Sequence, residues 1–466
     1  MGWIDYSKRD RSKKLPGLLS LAYDQVYPKF DKLIQDTKPD VVICDYFSVA
    51  CIDYCQKYKI PLIIGFQPLD ASIDPLPYIN DNIEYYLPAT IETMSFFERW
   101  YAKYILQYFG IGFRSEIRDQ LNEVRAKHGI PKKLKQWGDI DLEYKLFSSF
   151  IGWEIPRVFH PNIEMVGPIR SPSTVPLTQD LEEFLNEHDK VMFIAFGSAA
   201  ILTLNDLKLI VESSLLAIKK GVIDGVVFAT LTPIEDFPKE FTIDSQIINI
   251  EELANGKVNG LKLMKFAPQQ AILEHQNTKL FLSHGGLESV TESIFSLTPI
   301  LAMPWNLHSD QRNNAQLVKY NGLGGAVNRF KDTPITIVNE IERVLIDKDG
   351  SITRDLKRLK TIAHYKSKQI SQTADKIVSF AKVAKFCRTP NDLKEEIPCE
   401  LKHLVTVDQK ISYFRAYNYD VTIFHYFLIA LLMSFIIYLL LKGLKLIKSN
   451  GCVAPNYRAN KTEKNE

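Results

Sequence analysis

Ser283-His284-Gly285-Gly286 closes the apolar run LFLSH and leads into a segment of helical periodicity that begins near Leu287. Paired glycines let a backbone approach an anion, the N–H groups and positive dipole end of a helix attract phosphate, and an imidazole donates a hydrogen bond. The group therefore has the makings of a diphosphate cradle. Alone, His-Gly-Gly reads equally well as a glycine turn beside a core histidine. Its surroundings shift that balance. FAPQ (Phe266 to Gln269) follows another apolar run upstream and offers an aromatic face and an amide to a planar base. Glu292, two helical turns past His284, suits ribose hydroxyls, and Asp310-Gln311, after the run ILAMPW, suits sugar hydroxyls.

These residues lie just after apolar runs, and open α/β sheets bind ligands beyond the carboxyl ends of their strands. VMFIAFG (191–197), GVVFAT, LKLMKF, LFLSH, ILAMPW and GGAV alternate with helical segments. That order predicts a parallel, doubly wound sheet over 191–405. Upstream, KPDVVICDYFSVACIDYCQKYKIPLIIG (38–65) reads as a βαβ unit of a first α/β domain covering 1–170. A single such unit leaves both sheet edges bare, so this domain is expected to be incomplete. Between the two, SPSTVPLTQD breaks every periodicity, and 171–190 reads as a linker. The aromatic-rich stretch from Tyr78 to Phe113 reads as a helical insertion whose rings either line an acceptor pocket or serve as ordinary core.

A chain of 466 residues has room for two cores. A formal charge of +2 with 46% hydrophobic residues excludes disorder and a nucleic-acid footprint. The six cysteines contain no CxxC pair, so no metal site is expected. A Cys387–Cys399 bridge is one reading, with free thiols the favoured one. Residues 421–441, VTIFHYFLIALLMSFIIYLLL, carry no charge and match a bilayer core of about 30 Å. Lys442, Lys445 and Lys448 then form a basic collar, which places the 442–466 tail in the cytosol and the folded part across the membrane, with 406–420 as a membrane-proximal segment. Asn460-Lys-Thr, the only glycosylation sequon, falls in that tail; Cys452 reads as an unmodified thiol rather than a palmitoylated one.

From Phe266 to Gln311 the sequence resembles the signature region of the UDP-glycosyltransferase family, which includes the UDP-glucuronosyltransferases, with weaker similarity from about Asp40 to the tail. The resemblance implies two facing Rossmann-like domains of the GT-B type, the second holding the sugar donor and the first the acceptor. It implies that Phe266 and Gln269 face uracil, Glu292 the ribose, Ser198, His284 and Ser289 the diphosphate beside Gly285 and Gly286, and Asp310 with Gln311 the sugar. The function implied is inverting transfer of a hexosyl group, glucose or glucuronic acid, to a hydroxyl of a small lipophilic acceptor. The UDP-sugar is a co-substrate, and no cofactor is expected. Phe266 stands where the family commonly has Trp. Glu288 stands in place of the usual Asn, and a carboxylate about 4 Å from a phosphate is repelled by about 4 kcal/mol at intermediate dielectric, so Glu288 is expected to turn outward. The longer segment between Pro304 and Asp310 loosens the placement of Asp310.

Such transfer needs a base, which in the family is an early His oriented by an Asp. Asp45 matches that Asp, or caps the following helix. No histidine precedes it, and the start MGWIDYSKRDRSKKLPG has no apolar export segment. One truncation of the N-terminal strands is expected to account for both, the parent being an endoplasmic-reticulum membrane protein with lumenal domains; a tail-anchored protein inserted against its own charge bias is the other reading of the missing export segment. The alternative is a non-catalytic membrane-anchored partner of a complete transferase, in a homo- or hetero-oligomer. A nicotinamide oxidoreductase is excluded because no GxGxxG follows a predicted strand.

Overall fold

The structure, a computed structural model, describes residues 21–67, 76–80, 87–135, 140–171, 173–197, 200, 202–243, 246–254, 258–305, 310–387 and 397–450. The chain divides into a body, Met1–Leu404, and a C-terminal segment, Val405–Glu466.

The body holds two parallel sheets. The first runs in chain order, β1 (Val42–Asp45), β2 (Leu62–Phe66), β3 (Tyr144–Phe147) and β4 (Ile163–Met165). The Val49–Lys57 helix crosses from β1 to β2 with Val49 through Cys55 buried, as the βαβ reading expects. Buried Asp53 on that helix accepts from Arg125 Nε (2.6 Å) and Tyr23 Oη (3.1 Å), which ties it to the Gln107–Lys127 helix. A buried charge is tolerable only with such partners.

The second sheet contains β5 (Val191–Ala195), β6 (Gly225–Ala229), β9 (Leu261–Met264), β10 (Thr278–Ser283), β11 (Ile300–Ala302) and β12 (Gly324–Ala326), ordered β12-β11-β10-β5-β6-β9. All six apolar runs read from the sequence are strands, and all pair in parallel. Residues of β5 are buried throughout, as an interior parallel strand requires. The order reverses between β5 and β10, and this switch point opens a crevice at the strands' carboxyl ends. An antiparallel hairpin, β7 (Glu240–Ile243) and β8 (Gln246–Asn249), was not anticipated.

Two expectations are corrected. Within 171–190, Gln179–Glu187 is helical, because Leu181 and Leu185, one turn apart, are wholly buried in the second lobe's core. The Ile370–Phe386 helix, expected with the second domain, packs on the first: Phe380 meets the Tyr144 ring at 5.4 Å, Lys385 pairs with Asp40 at 2.8 Å and Lys376 pairs with Glu164. Buried Asn321 adds a bond to the Trp153 carbonyl (2.8 Å).

Free thiols are also corrected. Cys44 is bonded to Cys51, and Cys387 to Cys399. Cys55 remains a buried thiol, pushed up to about 12 by burial and then by Glu143. In the C-terminal segment, Tyr419–Asn450 is one helix, of which Tyr419–Leu446 is long and apolar enough to cross a membrane, with mean hydropathy 2.4 over its most apolar 18 residues.

The Cys44–Cys51 bond closes a short loop around the turn that carries Asp45. Replacing both cysteines by Ala is expected to lower stability by about 2 kcal/mol through lost loop constraint, read in denaturant melts, and non-reducing peptide mapping of the native chain should recover both bridges.

Candidate functional site

The carboxyl ends of β5 and β10 meet at the switch point, and each continues into glycine. After β10 come His284, Gly285 and Gly286; after β5 come Phe196 and Gly197. A Cβ on Gly286 would stand 2.5 Å from His284 Nε2, and one on Gly197 would stand 3.2 Å from its Cε1. The imidazole occupies a slot that exists only because both neighbours lack side chains. Gly197 and Gly285 also adopt φ of +72° and +81°, in the left-handed region that favours glycine.

The turn after β10 is bonded from several sides. Gly285 N–H donates to Ser283 Oγ (3.3 Å), Met303 N–H to the Ser283 carbonyl (2.7 Å) and Asn314 Nδ2 to the Gly285 carbonyl (2.9 Å). Gly286 then caps the Leu287–Ser296 helix with no side-chain bond to the helix's first amides. Those amides and the dipole of about half a charge favour an anion there. Burial pushes the His284 imidazole down to about 4, so at neutral pH the ring acts as a hydrogen-bonding group rather than a cation.

Around this turn the structure gathers most of the predicted residues. Gln269, opening the Gln269–Glu274 helix, donates to Ser289 Oγ (3.4 Å) and to the Glu292 carboxylate. Burial raises the Glu292 pKa, against the Gln269 bond that lowers it. Phe266 lies just beyond β9 with its ring 71% exposed, open to stacking. Asp310 and Gln311 open the Asp310–Tyr320 helix; Asp310 accepts from Asn314 Nδ2 (3.3 Å), and Gln311 Oε1 accepts from Trp305 N–H (2.8 Å). Asn314 thus links the glycine turn to Asp310. Ser198 lies outside the described residues.

Glu288 is exposed and accepts a bond from Gln67 Nε2 (2.8 Å), just past β2 of the first lobe. The outward turn expected from charge repulsion is present, and it joins the carboxyl ends of the two sheets. Asp45 is exposed and accepts from Phe47 N–H (2.9 Å) in the turn ahead of the Val49–Lys57 helix, whose N-cap is Ser48, so it braces that turn rather than capping the helix. Of the rings in the aromatic-rich stretch, Phe96, Phe97, Trp100, Tyr101 and Tyr104 are exposed and so do not fill a core; Tyr85 and Tyr86, and the side chains of Tyr108, Phe109 and Phe113, lie outside the described residues.

Sequence reasoning missed Asn314 and Gln67. Asn314 had a signal, since it falls four residues after Asp310 and so on the same helix face. Gln67 had only its position as the first polar residue after an apolar run.

Residues 93–370 match the model of the family described as UDP-glucoronosyl and UDP-glucosyl transferase. A UDP-glycosyltransferase of Talaromyces amestolkiae is 27% identical over 410 residues, covering 85% of this chain and 75% of that one. UDP-glycosyltransferase 1 of Phaeomoniella chlamydospora is 29% identical over 429 residues, covering 90% and 84%. The crystal structure of a UDP-glucose:anthocyanidin 3-O-glucosyltransferase in complex with UDP shares the fold, with TM-score 0.54 at 16% identity over 81% of this chain and 84% of that one.

Two outcomes are expected. NMR titration should place His284 near pH 4. An unfolded histidine titrates near 6.5, so the unfolded chain binds more protons between these values. The stabilising contribution is complete above about pH 6.5 and is lost as pH falls towards 4. Gly286→Ala should displace the imidazole and weaken UDP binding at least about tenfold, roughly one lost hydrogen bond to a charged group, with an unchanged circular dichroism spectrum; calorimetry reads the affinity.

Proposed function

Given that the chain belongs to the UDP-glycosyltransferase family, we propose that it moves a hexosyl group, glucose or glucuronic acid, from UDP to a hydroxyl of a small lipophilic acceptor with inversion at the anomeric carbon. The observation that carries this reading is the glycine-walled His284 slot, beside an uncapped helix N-terminus at the switch point. In this reading Phe266 stacks on uracil with Gln269 at its edge, and Glu292 takes the ribose hydroxyls. His284, Ser289 and the first amides of the Leu287–Ser296 helix hold the diphosphate, with Ser198 as a further phosphate ligand. Asp310 and Gln311 hold the sugar. The Gln269–Glu292 bond is then exchanged for bonds to the nucleoside.

The acceptor oxygen attacks the anomeric carbon from the face opposite UDP, the bond to the diphosphate breaks, and the leaving charge is taken up by the cradle. The acceptor proton passes to a general base, and in this reading Asp45, which ends β1, would orient that base. The Tyr419–Leu446 helix spans a bilayer in this reading, with the Lys442, Lys445 and Lys448 collar in the cytosol and the body on the lumenal side of the endoplasmic reticulum. Such an anchor keeps the site near acceptors that partition into lipid. A second reading, a non-catalytic membrane-anchored partner or regulator of a complete transferase, draws on Asp45 being engaged by the Phe47 N–H in its own turn.

Labelled UDP-glucose and UDP-glucuronic acid, each offered with a panel of lipophilic alcohols and phenols, should yield a β-linked product from one donor. Asp310→Ala should cut transfer about 10- to 100-fold, the value of one or two bonds to a charged group, and leave UDP affinity intact. UDP binding with no product from any acceptor would favour the second reading. Resistance of the chain to alkaline extraction from membranes tests the span.

A further inference from the structure

Five exposed rings of the first lobe fall close together, at 96, 97, 100, 101 and 104, across the Phe96–Tyr101 helix and the π-helical turn Ala102–Leu106 that continues it. At about 100° per residue these positions fall within an arc of about 140°. Ala102, off that arc, is the buried residue of the segment. The stripe therefore has helical spacing but is turned outwards: Phe97 is 77% exposed and Phe96 66%. A contiguous aromatic patch of this kind on a folded lobe marks a surface that something covers.

We propose that this stripe docks into the lipid–water interface of a bilayer, as a second membrane contact besides the C-terminal helix; the proposal rests on the spanning role given to that helix above. Trp and Tyr, with an apolar body and a polar tip, are the residues that sit at headgroup level, while Phe96 and Phe97 supply the apolar wedge. Arg99 and Lys103 flank the rings on one side of the arc and complement headgroup phosphates, with Lys103 Nζ 5.6 Å from the Tyr104 ring centroid. The chain uses the same chemistry where its apolar helix begins: Tyr413, Tyr417 and Tyr419 cluster with centroids 4.5–6.3 Å apart and are exposed. A bilayer is thus the surface that both the composition of the stripe and the tether of the chain select, in preference to a protein groove.

The test uses the full chain in phosphatidylcholine–phosphatidylserine vesicles with and without brominated acyl chains, comparing tryptophan emission of wild type with Trp100→Phe. Brominated lipid should quench a component that Trp100→Phe loses, and raising the phosphatidylserine fraction should strengthen that quenching in wild type but not in Arg99→Glu/Lys103→Glu. Equal quenching of wild type and Trp100→Phe in a chain that resists alkaline extraction would overturn the docking and leave the span intact. Release by alkali together with absent quenching would overturn both, whereas release with Trp100-dependent quenching would keep the docking and remove the span.

Discussion

The imidazole of His284 fits where it does because nothing projects from residues 197 and 286. A methyl group on Gly286 would overlap its Nε2, and one on Gly197 would press on its Cε1. That steric constraint joins two strands remote in sequence, since Gly197 follows β5 and His284 follows β10. It operates only because those strands are hydrogen-bonded neighbours with their carboxyl ends level, Ala195 opposite Ser283. The parallel sheet supplies the alignment, the reversal of strand order supplies the crevice, and the glycines supply the space. The dry slot then keeps the ring neutral, so what it offers a ligand is a directed hydrogen bond beside a helix dipole.

Among the described residues, a polar bond brings the end of β2 to this crevice. Gln67, leaving β2, donates to Glu288 in the first turn of the helix that the cradle opens. A carboxylate in a helix's first turn is favoured by the dipole, yet it competes with any phosphate drawn to the same place. Turning outward to Gln67 reconciles the two, because the charge is then solvated and partnered. The lobes are further held by Asn321 on the Trp153 carbonyl and by the Ile370–Phe386 helix on the first sheet. A body stapled at several points keeps the carboxyl ends of both sheets at a common crevice.

Much of this arrangement was legible in the residues. Six apolar runs between helical segments named every strand of the large sheet, since parallel strands buried on both faces read as continuous apolar runs. The His-Gly-Gly run was legible as the turn from β10 into the Leu287–Ser296 helix because glycine's effect on the backbone is local. Contacts across lobes were not legible: nothing near Gln67 in sequence points to Glu288, 221 residues away. The Cys387–Cys399 bridge was one reading of the sequence, whereas the Cys44–Cys51 bridge was hidden, because those two meet only once a strand end and a helix start are folded back on each other. The aromatic segment was legible as helical but its exposure was not, because helical spacing states which residues share a face and does not state whether the face points inwards.

The central claim is that a uridine diphosphate sits on the turn between β10 and its helix. Hydrogen exchange of the full chain with and without UDP tests it most directly, at peptide resolution. The account predicts slowed exchange at the Gly285 to Ser289 amides and around Gln269 and Glu292, with the far ends of the same strands unchanged. Binding of UDP without protection of residues 285–289, or protection centred on the first sheet instead, would contradict it.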